Sequence, residues 1–333
     1  MAETWSVRRL REWIKEYLTS HEVDSPGVCA DLLLAHVLCC DRMRLYMDVD
    51  RIAESAELEL LRSLVKRAGR HEPVQYLVGR WSFFGFELEV GSSTLIPRPS
   101  TESLVSLAIE RLRAVNDANA GPLRIADLCT GSGCIAIAIA RSLMLSQGGR
   151  RQLAWQRGSA GESGELLPAP DESAVERGRV CEVYATESSA PAAALAQRNV
   201  DAHKLGAVIT IEVGDLDRPF VGRGFENSFD LIVSNPPYIS DVEWAEVPRN
   251  VREFEPESAL RGGIDGLDMV RRVLSCAPIW LKPRGTVLVE ISSSQGAAAA
   301  AIAASHGLTE IEIRPDLEGH PRVLAARTDA DTD

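Results

Sequence analysis

Leu123-Arg124-Ile125-Ala126-Asp127-Leu128-Cys129-Thr130-Gly131-Ser132-Gly133 is a short apolar run that breaks into a glycine-rich turn. The first six residues read as a strand, and Ile135–Leu145 beyond the turn reads as a helix. The unit recurs with Val180–Thr186 as strand and Ala190–Asp201 as helix. Val208–Val213 and Phe229–Ser234 are further strands, Leu267–Leu281 a helix and Thr286–Ile291 a strand. Such alternation predicts a mostly parallel, doubly wound α/β sheet. The last two strands, Glu310–Arg314 and Arg322–Ala326, are joined by a short link. They are expected to pair antiparallel, because a parallel crossover needs about a dozen residues or more.

Upstream the pattern is helical. Leu10, Trp13, Ile14, Tyr17 and Leu18 form one apolar helical face. Ser25-Pro26 reads as a cap followed by proline in the first turn, and Leu58, Leu61, Leu64 and Val65 form another stripe. His36 lies on an apolar stripe and reads as a core or rim residue. From Trp81 the pattern turns strand-like: Phe84, Phe86, Leu88 and Val90 alternate with polar residues or glycine, Gly91-Ser92-Ser93 reads as a turn, and Thr94–Ile96 as a return strand. This gives a helical bundle over 1–80, a linking β-hairpin over 81–98 and an α/β domain over 99–328. Residues 146–179, rich in Gly, Ser and Pro, read as an inserted surface loop, and 328–333 as a frayed tail.

With 333 residues, 45% hydrophobic and 25% charged, the chain has ordinary globular composition. It has no apolar run of bilayer-spanning length, and Met1–Lys15 is too charged for a signal peptide, so a cytoplasmic protein without membrane contact is expected. The seven cysteines show no paired framework and no metal-binding spacing, and read as mostly buried free thiols. A net charge of −12 argues against nucleic acid as partner, although Arg261, Arg271 and Arg272 lie near one another. It favours a basic protein or a small molecule.

The glycine turn lets backbone approach a ligand closely. It lacks the third glycine of a dinucleotide fingerprint and the Gly-Lys-Ser/Thr ending of a phosphate loop. Glu187, ending the second strand, is placed either to accept both hydroxyls of a ribose or to cap the helix after Ser188-Ser189. Asp215, followed by Leu216, is placed to meet an adenine or to serve as a plain turn residue. The fourth strand ends in Asn235-Pro236-Pro237-Tyr238. The prolines remove two N–H donors and stiffen the chain, leaving the Asn side chain and following carbonyls to accept hydrogens from a planar NH2 group. That chemistry suits methyl transfer to an amide or exocyclic amine.

Further segments carry a resemblance. Glu72-Pro73-Val74-Gln75-Tyr76-Leu77-Val78-Gly79 with Phe83-Phe84-Gly85, Thr94-Leu95-Ile96-Pro97-Arg98-Pro99 with Thr101-Glu102, and Phe254-Glu255-Pro256 with Gly262-Gly263-Ile264-Asp265-Gly266-Leu267 resemble the HemK/PrmC family, which methylates a glutamine side-chain nitrogen (N5) of peptide chain release factors. The resemblance implies a Rossmann-like class I methyltransferase fold with a seven-stranded sheet whose last strand is antiparallel. It implies S-adenosyl-L-methionine as donor, S-adenosyl-L-homocysteine as product, and no metal. Cys129, Thr130, Gly131, Ser132 and Gly133 would hold the methionine end, Glu187 the ribose, and Asp215 or Leu216 the adenine side. Asn235, Pro236, Pro237 and Tyr238 would hold the acceptor, with Asn235 bordering the donor too and Asn235, Pro236 and Tyr238 serving catalysis. The helical bundle would dock the release factor, and the enzyme would act as a monomer. Cys129 stands where the family usually has glycine, Ser100 where it has an acid, and Glu187 where Asp is commoner. The rival expectations are a nucleic-acid amino-methyltransferase of the N6-adenine or N4-cytosine type, and a binding protein that has lost catalysis.

Overall fold

The Leu123 run becomes an inner strand, third across a seven-stranded sheet. The computed structural model describes residues 4–115, 121–147 and 181–330. The chain divides into two compact units. One takes Met1–Trp81, Val90–Ser92 and Val247–Glu255, the other Ser82–Glu89, Ser93–Glu246 and Pro256–Asp333. From residue 148 onward, the inserted segment read over 146–179 lies outside the described residues, as does the tail from 331.

In the first unit, α1 (Val7–Ser20), α2 (Pro26–Val37), α3 (Arg42–Met47), α4 (Ser55–Ala68) and α5 (Val74–Val78) surround one apolar core. Leu10, Ile14 and Leu18 of the α1 stripe are buried there with Leu61, Leu64 and Val65 of α4, while Trp13 and Tyr17 pack at its margin. Ser25 differs from expectation. Pro26 does start α2, but Ser25 sits in the left-handed region at φ 50° and its side chain caps nothing. His36 is half-buried, and burial, then Arg80, lowers its pKa.

The two-stranded sheet consists of β1 (Arg80–Phe83) and β2 (Phe86–Glu89), so the hairpin turns at Phe84-Gly85. Both turn residues have positive φ, 48° and 79°, which suits a tight two-residue loop. The sequence reading placed Phe84 in a strand, the turn at Gly91-Ser92-Ser93 and a return at Thr94–Ile96. The alternation of 84, 86, 88 and 90 counted a turn residue as part of a strand. Phe84 tolerates its conformation with its N–H donated to Glu102 (2.8 Å), and Thr94–Ile96 is irregular.

In the second unit, α6 (Pro99–Ala114) leads to β3 (Leu123–Leu128), α7 (Cys134–Gln147), β4 (Cys181–Glu187), α8 (Ala190–Ala202), β5 (Ile209–Val213) and β6 (Phe229–Ser234). The short helix α9 (Arg249–Phe254) belongs to the first unit. After it come α10 (Asp268–Trp280), β7 (Leu281–Glu290), α11 (Gly296–Ser305), β8 (Thr309–Pro315) and β9 (Pro321–Arg327). The strand order is β5-β4-β3-β6-β7-β9-β8. All pairings from β5 to β7 are parallel, and β9 alone runs antiparallel, inserted between β7 and β8. This is the fold expected from the alternation.

Residues alternate between the two faces of the sheet, and each face builds its own core. Ile125, Leu231, Val233 and Leu288 pack with α6 and α7. Ala126, Leu128, Ile232, Val287 and Val289 pack with Val270, Val273 and Ala277 of α10 and Ala299 of α11. Burial on both faces explains why Leu231-Ile232-Val233 of β6 reads as a continuous apolar run. All seven cysteines are free, but only Cys134, Cys181 and Cys276 are buried, and Cys39 is exposed. No helix among the described residues is long and apolar enough to cross a membrane.

Candidate active site

From β3 the chain steps outward to β4 and β5, then returns to β6 on the other side of β3. The carboxyl ends of β3 and β6 therefore flank the topological switch point, where open α/β sheets bind ligands. Cys129 follows β3 and Asn235 follows β6. A cavity of about 340 Å³ opens there, in the size range of small-molecule sites. Its wall includes Cys129, Thr130, Gly131, Ser132, Glu187, Asp215, Asn235 and Pro237, with Thr101, Arg261 and Arg272. Gly133, Leu216, Pro236 and Tyr238 do not line it.

The turn after β3 is held from below. Asp127 is fully buried and accepts from Thr130 Oγ1 (2.6 Å) and the Ala136 N–H (3.2 Å). Burial pushes its pKa up to about 7, against the pull of those hydrogen bonds. Cys129 and Gly131 take left-handed backbone, φ 63° and 57°. The first explains why glycine suits position 129: a side chain there costs about 1 kcal/mol of backbone strain. The Cys129 thiol is pushed up to about 12 by burial and then by Glu187, so it stays protonated. Gly133 packs its backbone over α8, where an added Cβ would lie 3.5 Å from the Ala196 side chain.

Glu187 lines the cavity and joins two backbone segments. Its Oε1 accepts the N–H of Ser189, the residue that caps α8, at 2.9 Å. Its Oε2 accepts the Gly131 N–H at 3.0 Å. Oε1 also accepts from the Ser188 hydroxyl at 3.4 Å, which leaves the second lone pair of Oε2 open. Asp215 lines the cavity in an ion pair with Arg272 at 2.8 Å. The Leu216 side chain turns away into the apolar core, 4% exposed.

The tetrad is braced along its length. Ser234 Oγ donates to the Leu128 carbonyl (2.7 Å), joining the last residues of β6 and β3. Asn235 Nδ2 donates to Thr101 Oγ1 at 3.2 Å. Pro236 and Pro237 are buried. The Tyr238 hydroxyl donates to Glu290 Oε1 at 3.3 Å, and its pKa is raised by burial and then by Glu290. The Tyr238 carbonyl accepts from Gln295 Nε2 (2.9 Å). Beyond the tetrad, Ile239 exchanges backbone hydrogen bonds with Leu260 and Gly262.

The loop Gly262–Gly266 lies against this backbone. A Cβ on Gly266, at φ 74°, would lie 2.3 Å from the Tyr238 carbonyl oxygen and 2.5 Å from Gln295 Nε2. Gly266→Ala should therefore cost about 3 kcal/mol of stability and reduce turnover. Thermal unfolding with a parallel activity assay checks this, and an unchanged midpoint would show that the loop yields easily.

Sequence reading did not find Thr101, Asn199, Glu290 or Gln295. Asn199, buried on α8, accepts the Glu89 N–H (2.7 Å) and donates to the Glu89 and Ser132 carbonyls (3.0 and 2.9 Å). It thereby fixes the glycine turn to the end of β2. The available signal was a polar residue within an apolar stripe or strand. The suspected basic patch is not free. Arg261 pairs with Asp241 (2.7 Å) and Glu257, Arg271 with Asp265 and Asp268, and Arg272 with Asp215. No cluster of three or more His, Cys, Asp or Glu suited to a metal occurs among the described residues.

Comparison with known proteins agrees with this architecture. The PrmC N-terminal domain family matches residues 9–79. A release factor glutamine methyltransferase of Rhodopirellula baltica is 34% identical over 331 residues, covering 98% of this chain and 99% of its own. One from Geobacter sulfurreducens is 34% identical over 98% of both chains. One from Xylella fastidiosa is 37% identical over 90% of this chain and 92% of its own. At that identity over nearly the whole length, the chain belongs to the release factor glutamine methyltransferase family.

Proposed function

We propose that the cavity at the switch point binds the methyl donor through Cys129–Gly133, Glu187 and Asp215, and that Asn235–Tyr238 holds a glutamine of a peptide chain release factor for methylation at its side-chain nitrogen. The single observation that carries this is the placement of Asn235 and Glu187 in the wall of one cavity, on either side of the turn that follows β3. The donor, S-adenosyl-L-methionine, supplies an electrophilic methyl group when bound. The residues present fit it: a left-handed glycine at the wall, the Glu187 carboxylate to accept ribose hydroxyls, and Asp215 with the apolar Met269 in the same wall.

An amide nitrogen is a weak nucleophile because its lone pair is delocalised into the carbonyl. Among the described residues the cavity wall holds no histidine, Asp215 is ion-paired, and Glu187 accepts two backbone N–H groups. Catalysis then rests on positioning and local polarity. The Nδ2 end of Asn235 is taken by Thr101, which leaves Oδ1 to accept from the glutamine NH2. The Pro236 carbonyl takes the second hydrogen. Both bonds favour loss of conjugation and aim the nitrogen lone pair at the donor site; the surplus proton on nitrogen leaves to solvent after methyl transfer. Tyr238 packs beside the acceptor side chain, its hydroxyl engaged by Glu290.

In this reading the helical unit docks the release factor, the segment 81–98 links it to the catalytic domain of 99–328, and the protein works as a cytoplasmic monomer. The net charge of −12 and the paired arginines support a protein acceptor over a nucleic acid. The test offers release factor, tRNA and DNA side by side with the donor. Mass spectrometry should find one added methyl on a glutamine of the release factor and none on nucleic acid. Methylation of adenine or cytosine alone would replace this reading by its rival, and no donor binding by calorimetry would favour a protein that has lost catalysis.

A further inference from the structure

Asn199, on α8, is 2% exposed and uses both hydrogens and the oxygen of its amide. Its Oδ1 accepts the Glu89 N–H at 2.7 Å, and its Nδ2 donates to the carbonyls of Glu89 (3.0 Å) and Ser132 (2.9 Å). A backbone N–H only donates and a carbonyl only accepts, so these partners fix which way the amide faces. Glu89 ends β2, and Ser132 lies in the glycine turn and in the cavity wall. All three residues belong to the second unit.

Arg198 and His203 hold the same strand, Arg198 on the Glu89 carboxylate (2.6 Å) and His203 Nε2 at the Glu87 carbonyl (2.8 Å). Of these three side chains, Asn199 is the one bonded to the glycine turn as well. Ser132 stands between Gly131 and Gly133, both at positive φ, where the backbone is least restricted. The Thr130 N–H is taken by the Thr186 carbonyl, that of Gly131 by Glu187 and that of Gly133 by the Thr130 carbonyl, so these groups are pinned from the sheet or within the turn. The Ser132 carbonyl is pinned from the hairpin side, through Asn199. We infer that Asn199 is a positioning residue for the donor, tying the glycine turn to the end of β2 so that displacing this strand end lowers donor affinity. This rests on the reading of the turn as the donor site.

Calorimetry with S-adenosyl-L-homocysteine tests it at a temperature where the variants are folded. Asn199→Ala should bind about tenfold more weakly, the effect of about one lost hydrogen bond. Val200→Ala opens the buried core at the next position of α8. It should lower the unfolding midpoint and leave affinity within about twofold. Glu89 is exposed and ends a strand of a two-stranded sheet, an edge position that accepts proline. Glu89→Ala removes the ion pair to Arg198 and should leave affinity unchanged. Glu89→Pro also removes the N–H that Asn199 takes, and should weaken binding by about threefold or more. The double variant Asn199→Ala/Glu89→Pro should bind no more weakly than Asn199→Ala alone. If Asn199→Ala does not fold, the comparison of Glu89→Pro with Glu89→Ala decides.

A second readout needs no donor. The Gly133 amide, whose peptide unit contains the Ser132 carbonyl, should shift its 15N–1H signal in Glu89→Pro and keep it in Glu89→Ala. An unmoved signal in Glu89→Pro overturns the inference whatever the turn binds. So does an Asn199→Ala protein that binds within about twofold of the unaltered one, a Val200→Ala protein that loses as much affinity, or a double variant whose loss is the product of the single losses. If the unaltered protein binds no donor, the reading of the turn as donor site fails, and the NMR signal still decides whether β2 reaches it.

Discussion

Asn235→Ala will lower turnover by about 10³-fold, at the upper end of what removal of one reaction-specific acceptor or donor costs, while donor binding stays measurable. The side chain is held at one end by Thr101 and placed in the cavity wall, between two buried residues, Ser234 and Pro236, that fix its backbone. Truncation to Ala removes the acceptor for one amide hydrogen without disturbing that backbone, since Ser234 keeps its bond to the Leu128 carbonyl. The amide nitrogen then keeps its conjugation and loses its orientation. Transfer of a labelled methyl group measures turnover, and calorimetry measures donor binding. Near-normal turnover would remove Asn235 from the mechanism. Loss of donor binding along with turnover would make it a donor ligand instead.

The second large effect belongs to Glu187→Ala, which should weaken donor binding by about 10²-fold or more. Two hydroxyl bonds to a carboxylate are worth about 1.5–3 kcal/mol each. The same substitution frees the N–H groups of Gly131 and Ser189, so the turn that forms the opposite wall loosens as well. Glu187→Asp should recover part of the affinity, because the shorter side chain keeps the charge and the fork. Calorimetric titration with S-adenosyl-L-homocysteine reads both variants. An affinity within about threefold of the unaltered protein in Glu187→Ala would show that the carboxylate serves the helix cap alone.

Much of the fold was legible because it rests on local periodicity. The apolar runs that became β3 and β6, the glycine turn between β3 and α7, and the short link between β8 and β9 each carry their reading within a dozen residues. The hairpin failed at Phe84 for the same reason. A bulky residue at φ 48° looks like a strand residue to a period-two count, and what stabilises it there is Glu102, on another element. The site divided similarly. Cavity-wall residues at strand ends were readable from position. The buried polar residues that aim them were not: Thr101 meets Asn235 across 134 positions, Asn199 meets Ser132 across 67, and Tyr238 meets Glu290 across 52. Nothing in a linear pattern reports such pairings. Leu216 was misplaced because a left-handed backbone, φ 52°, turns its side chain inward where a regular strand end would have left it facing the crevice.

The Ser234 hydroxyl on the Leu128 carbonyl has a consequence for tolerance to motion. It fastens the last rung of the ladder between β6 and β3, at the pair Leu128–Ser234, and beyond it the two chains part toward Cys129 and Asn235. The crevice is thus a wedge pinned at its apex. Its rim can breathe with the loops, yet at the apex the two chains start about 4.8 Å apart, the spacing of neighbouring strands. On the function proposed above, the separation of donor and acceptor is in this sense a backbone dimension, inherited from a sheet.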